Sequence, residues 1–311
     1  ITAMLVHLMD EQGLIHLLNP VAYYLPEFAQ NGKKNITIHQ LLSHRAGIAA
    51  LQEKVDPEIL FDNDTLIKML CPAKPTTVHG REQAYHALTA GYILGELVQR
   101  LTGMNIRDYL RIHVQEPLGM KYFNYGIDRA HYPLVARNYF TGLPLVFPMN
   151  LVVQRILNVS LEKAIEVSND PRFYDQIIPA GNMAANAEEC TRFFQCMLNG
   201  GEYEGKQIFK PLTIQRAVQE VGPMQLDRQL LLPMRFSAGM MLGDNPWGIF
   251  GPRTHEAYGH LGLTNNFCWA DPERHISATL LTSGNPVMGS HFPALVKLLA
   301  TIAKRCKTGK R

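Results

Sequence analysis

The 311-residue chain is 46% apolar and 18% charged, which excludes a disordered polypeptide and allows one large domain or two modest ones sharing a core. Its net charge of +3 comes from Lys304, Arg305, Lys307, Lys310 and Arg311; without these the 30 basic residues fall to 25 against 27 acidic ones, and no basic stripe for nucleic acid remains. The longest apolar run, Leu143 to Val153, is interrupted by Pro144, Pro148 and Asn150 and falls short of the ~18 residues of a membrane span.

In chain order, Ile1, Met4, Leu5, Leu8 and Met9 form the apolar stripe of an amphipathic helix ended by Gly13. The helix starts in mid-stripe with no N-cap, so the expectation is that residues are missing ahead of Ile1. Thr37 and Gln40 make a capping box for a short helix ending near His44. Residues 49–80 read as loop and short helix. Ala87 to Leu101 is a helix stopped by Gly103, and Asn105 opens another towards Glu116-Pro117. Residues 121–178 are irregular apart from a helical patch around Leu151 to Val167. Asn186 and Glu189 cap a helix that ends at Gly200-Gly201. Short extended runs follow, Ala257 to Gly262, Asn266 to Ala270 and His275 to Thr282, with Asp271-Pro272 as a hairpin signal. Pro293 to Lys304 is a closing helix. Helices followed by an antiparallel sheet and a final helix predict an α+β fold.

Five cysteines, Cys71, Cys190, Cys196, Cys268 and Cys306, show neither CxxC spacing nor pairing with histidine. Buried free thiols account for three of them, and the sparse odd set fits a reducing compartment. Three literal motifs are decoys. Gly200 to Lys206 nearly spells a phosphate loop, but Gln207 stands where a magnesium-binding hydroxyl is needed. Ser160-Leu-Glu-Lys163 fits S-x-x-K and Lys307-Thr-Gly309 fits K-T-G, yet one lies in the irregular middle and the other in the tail.

Longer segments carry more. Residues 1–28, Ile36 to Ile48 (ITIHQLLSHRAGI), Gly80 to Gly103 (GREQAYHALTAGYILGELVQRLTG), Glu116 to Met120, Pro179 to Gly205 and Tyr258 to Glu273 (YGHLGLTNNFCWADPE) together resemble the serine β-lactamase-like superfamily. That group includes class C β-lactamases, D-alanyl peptidases and related esterases. The resemblance leaves out roughly 121–178 and 208–250. It implies a β-lactamase/transpeptidase-like domain over 1–311, with a helical region at about 14–200 and a sheet with its closing helix at about 245–306.

The resemblance also implies a site. The family's S-x-x-K serine and lysine would fall about five and two residues before Ile1, consistent with the uncapped first helix. Tyr85-His86-Ala87 matches the family's tyrosine element, with Ala87 in place of an asparagine. Tyr85 would relay a proton between nucleophile and leaving group; taken alone it would read as a tyrosine at a helix start with its ring in the core. His260-Leu261-Gly262 matches the family's Lys/His-x-Gly strand, with the Leu263 N–H helping to form an oxyanion hole. Taken alone, His260 would read as a satisfied histidine at a sheet edge. His44, His86 and His255 read as core or solvated histidines. Ala87 and a largely neutral His260 leave few polar anchors for an amide or β-lactam, which favours ester substrates. The resemblance therefore implies a serine hydrolase working through an acyl-enzyme, a carboxylesterase first, and no metal or organic cofactor. A β-lactamase or D-alanyl peptidase, and a non-catalytic member that binds acyl ligands or a protein partner, stay open.

Overall fold

The computed structural model describes residues 1–49, 56–147, 149–262, 265–287 and 289–309. Helix α1 (Thr2–Glu11) has every residue from Ala3 to Met9 buried. The one-sided stripe expected from periodicity is thus too narrow a description. His7, the polar residue in that span, is buried because its Nε2 meets the Ala238 carbonyl at 2.8 Å. Only the last turn is polar, where Glu11 accepts from the Lys210 N–H at 2.8 Å and the Thr213 hydroxyl at 2.6 Å.

The capping signals work locally. Helix α2 (Ile38–Leu42) carries the full Thr37/Gln40 capping box, and α3 (Asn63–Leu70) is capped by Asp62. Helix α4 (Ala87–Thr102) ends on Gly103 at φ +72°, a left-handed stop that glycine adopts without strain. Helix α5 (Ile106–Leu110), capped by Asn105, continues as a π turn through Gln115. The single helical patch expected around 151–167 is two helices, α6 (Met149–Leu157) and α7 (Leu161–Ser168). They are split at Asn158, whose φ is +62°. Ser160 is the N-cap of α7 and accepts the Lys163 N–H at 3.2 Å, so its S-x-x-K match is structural. Helix α8 (Ala187–Leu198) is capped by Asn186, and the glycines after it lead into a small hairpin, Glu202–Tyr203 with Lys206–Gln207, not a phosphate loop. Helix α9 (Pro211–Val218) and the terminal α10 (His291–Arg305) complete the helices named here.

Strands β1 (Tyr139–Phe140), β2 (Met241–Leu242), β3 (Tyr258–Leu261), β4 (Phe267–Asp271), β5 (Ile276–Leu280) and β6 (Gly284–Asn285) include the main sheet. Its order is β5-β4-β3-β2, antiparallel throughout; β1 and β6 pair in parallel beside it. The fold is α+β, as the order of elements predicts.

A period of two sorts the sheet's side chains onto two faces. Tyr258, His260, Cys268 and Ala270 lie on one face, and Tyr258 and Ala270 join the helical core that holds α1, α4 and α8. Phe267 and Trp269 lie on the other, packed with Phe250 and with Leu295 and Leu299 of α10. Gly259 pairs with Trp269, and a Cβ there would sit 2.2 Å from the Cys268 carbonyl oxygen. Only glycine fits that position. The β4–β5 hairpin is closed by Asp271, whose buried carboxylate meets the Arg274 guanidinium at 2.6 Å.

Candidate active site

Tyr85 immediately precedes His86, the N-cap of α4. Its backbone N–H donates to both carboxylate oxygens of Asp227, at 2.9 and 3.1 Å. Asp227 is completely buried and also accepts from the N–H groups of Gln229 and Leu230, each at 2.9 Å. The carboxylate therefore pins the start of α4 to a loop 142 residues further on. The Tyr85 phenol makes no hydrogen bond among the described residues. Burial, and then the Asp227 charge, push its pKa far above that of free tyrosine.

Three rings surround this phenol. His44 lies 4.7 Å away between centroids, His260 6.0 Å, and Phe236 stacks at 6.3 Å. His44 is held in the left-handed region at φ +58°, uncommon for a side-chain-bearing residue, and its Nδ1 accepts the His86 N–H at 3.3 Å. Burial depresses the His44 pKa well below 6.5, helped by His86 and His260. His86 donates from Nδ1 to the Ala84 carbonyl at 2.6 Å, and burial brings its pKa to about 4.

The register of β3 puts His260 on the helical face, opposite Cys268. Its Nδ1 lies 2.8 Å from the Leu261 carbonyl. A carbonyl only accepts, so Nδ1 carries the proton and Nε2 is left as an acceptor. Burial lowers the His260 pKa to about 4. The imidazole is neutral at ordinary pH. The Ile1 nitrogen is itself buried, close to Cys190 and Cys268. The Ile1 end of α1 thus lies close to His260.

The structure brings Tyr85 and His260 together, with Ala87 as the first residue of α4 and without a polar side chain. Gly262 lies at the mouth of the β3–β4 hairpin, and its N–H is already used by the Asn266 carbonyl at 2.7 Å. Leu263, the expected oxyanion donor, lies outside the described residues. No serine hydroxyl among the described residues reaches Tyr85 or His260. Ser43 donates to the His39 carbonyl at 2.8 Å, and Ser237 accepts the Met240 N–H at 3.0 Å. His255 pairs with Glu256 at 2.9 Å on the surface, as a solvated histidine should.

Sequence reasoning set His44 and His86 aside as core or solvated residues. Both are core residues, but His44 also forms one wall of the site. Asp227 was missed altogether. Its only signal was turn-like, an aspartate placed to accept N–H groups two and three residues on.

Comparison with known proteins gives a consistent picture. The family model described as Beta-lactamase matches residues 1–300. The esterase/beta-lactamase LipL of Mycobacterium tuberculosis is 27% identical over 297 residues, covering 90% of this chain and 66% of that protein. An N-acetylmuramyl-L-alanine amidase of Bacillus subtilis is 25% identical, covering 88% of this chain and 63% of its own length. The chain thus spans just under two thirds of these curated relatives. Among solved structures, a family VIII carboxylesterase superposes with TM-score 0.85 at 26% identity, covering 98% of this chain and 80% of that one. A penicillin-binding protein homolog from Caulobacter crescentus gives 0.83 at 26% identity, with coverages of 97% and 80%.

Proposed function

Since the chain belongs to the beta-lactamase family, we propose that the Tyr85–His260 cluster is the proton-relay and acyl-binding side of a serine hydrolase site that works through an acyl-enzyme, with esters as preferred substrates. The observation that carries this reading is the half-buried Tyr85 phenol. It is fixed by Asp227 through the backbone, free of hydrogen bonds among the described residues, and turned towards His260.

The attacking serine and its lysine are assigned to S-x-x-K register ahead of α1, whose Ile1 end lies close to His260. Attack on the ester carbonyl forms a tetrahedral adduct. Its collapse expels the alcohol, which takes a proton through Tyr85, and water then releases the acid from the acyl-serine. Burial and Asp227 both oppose phenolate formation, so Tyr85 alone stays protonated. A neighbouring ammonium is what would let it give and regain a proton near neutral pH. Leu263 N–H is assigned to the oxyanion, while Gly262 closes the hairpin beside it. Neutral His260 and apolar Ala87 offer no cation and no amide to hold a β-lactam, which supports the ester preference.

The test uses a version with serine and lysine in that register. Tyr85→Phe is expected to lower p-nitrophenyl butyrate turnover by about 10²–10⁴-fold with unchanged folding; undiminished turnover removes the relay role. The parent should process the ester far faster than nitrocefin, and comparable kcat/KM values would favour a β-lactamase instead. Residues Ile1 to Arg311 alone are expected to be inert towards a fluorophosphonate. Stoichiometric labelling of a serine within them, with ester turnover, would show that the nucleophile lies elsewhere.

A further inference from the structure

The segment between β1 and the end of α6 has two apolar sides. On its inner side Phe140, Leu145, Val153 and Leu157 pack with Leu161 and Ile165 of α7. On its outer side Leu143, Val146, Phe147 and Leu151 are 61, 70, 77 and 52% exposed. Scattered surface apolar residues are ordinary, but a concentrated set on one segment marks an interaction surface. From Asn138 to Gln154 there is no charged residue, and arginines bound the stretch at Arg137 and Arg155. Both are exposed, and neither has a carboxylate partner among the described residues.

The two ends of the segment place it beside the candidate site. At one end β1 pairs with β6, just beyond the sheet strand β5. At the other the Arg155 guanidinium donates to the Arg228 carbonyl at 3.1 Å, and Gln229 Nε2 donates to the Arg155 carbonyl at 2.7 Å. Arg228 and Gln229 directly follow Asp227, the residue that holds Tyr85.

We infer that the exposed side chains of Leu143, Val146, Phe147 and Leu151 seat in the acyl boundary of an anionic lipid surface, with Arg137 and Arg155 against the head groups. Apolar side chains flanked by arginines that have no carboxylate partner among the described residues are the composition of an interfacial anchor: the apolar surface supplies affinity and the cations supply preference for anionic lipid. Docked this way, the segment would offer the adjoining site water-insoluble esters from the lipid phase. That substrate assignment rests on the hydrolase reading above, whereas the docking does not.

The experiment is co-sedimentation of the chain with phosphatidylglycerol/phosphatidylcholine vesicles and with phosphatidylcholine alone. The wild type should bind the anionic vesicles more tightly. Val146→Ser/Phe147→Ser should weaken that binding at least tenfold, and Arg137→Gln/Arg155→Gln should abolish the anionic preference. Circular dichroism should be unchanged for both, since the residues are exposed. Phe147→Trp provides an independent readout, with emission shifting to the blue on vesicles. Absence of wild-type binding, equal binding by the serine variant, or an unshifted tryptophan would overturn the proposal. So would a dimer that the serine variant dissolves, with no vesicle binding. Vesicle binding without ester turnover in the serine- and lysine-bearing version would uphold the docking and remove only the hydrolase reading.

Discussion

Replacing Asp227 by alanine should unfasten the corner of the molecule that holds Tyr85. The carboxylate is fully buried and takes N–H donors from Tyr85, Gln229 and Leu230 at 2.9–3.1 Å. Each buried N–H left without a partner costs about 1–3 kcal/mol. Arg228 and Leu231 are exposed in the same loop, so water can reach part of the gap and the three penalties do not add in full. A net loss of about 3–5 kcal/mol is expected. Asp227→Asn is milder and more telling. Its retained oxygen can still serve Gln229 and Leu230, but an amide N–H₂ now faces the Tyr85 N–H across a 2.9 Å contact, costing about 1–2 kcal/mol. Losing the negative charge should also lower the Tyr85 pKa from its raised value, readable by NMR of ring-labelled tyrosine. Urea unfolding followed by circular dichroism measures the stabilities; at roughly 2 °C per kcal/mol the alanine variant melts about 6–10 °C lower. An alanine variant within about 1 kcal/mol of wild type would refute the claim that Asp227 anchors this corner.

Two further outcomes follow from the sheet and the histidines. Gly259→Ala would drive a Cβ to 2.2 Å from the Cys268 carbonyl and 2.6 Å from Trp269 Cα, so a loss above about 4 kcal/mol and little soluble folded protein are expected; a variant with wild-type Tm would contradict the β3–β4 register. His86 has a folded pKa of about 4 against about 6.5 unfolded, so the unfolded state binds more protons between those values. Stability should then be flat above about pH 6.5, fall as pH drops to about 4, and lose no more below, with His86 contributing on the order of 3 kcal/mol. His260, also near 4, acts in the same direction. A urea midpoint that stays constant from about pH 7 to about pH 4.5 would show that these rings are not held neutral by burial.

What could be read from the sequence was what neighbours in the chain decide. Thr37 with Gln40, Asn105, Asn186 and Gly103 cap helices within three or four residues of themselves, and the structure uses all of them. The extended runs read at Ala257 to Gly262 and Asn266 to Ala270 fall on strands Tyr258–Leu261 and Phe267–Asp271, and Asp271-Pro272 falls at the turn that follows. Distance in sequence hid the rest. Asp227 acts on Tyr85 from 142 residues away, and nothing around it announces that partner. His44 becomes part of the site only because α2 ends against the start of α4. The stripe read for α1 left out His7, which is buried because the Ala238 carbonyl supplies its hydrogen bond. Between 121 and 178 two short helices meet at a residue with positive φ, Asn158, which an asparagine permits without advertising.

The surroundings of α1 bear on how the chain is made. Its polar ties reach across 123 residues to Tyr125, 177 to Pro179, 202 to Thr213 and 231 to Ala238. At roughly 5–20 residues per second, synthesis takes about 10–50 s to pass from α1 to the last of these partners. Throughout that interval an apolar segment with no local home is exposed to chaperones and to other nascent chains. Docking of α1 is therefore a late, long-range closure of the kind that slows folding. A chain terminated anywhere before Ala238 leaves the segment unseated, and a slower ribosome lengthens the time it spends uncovered.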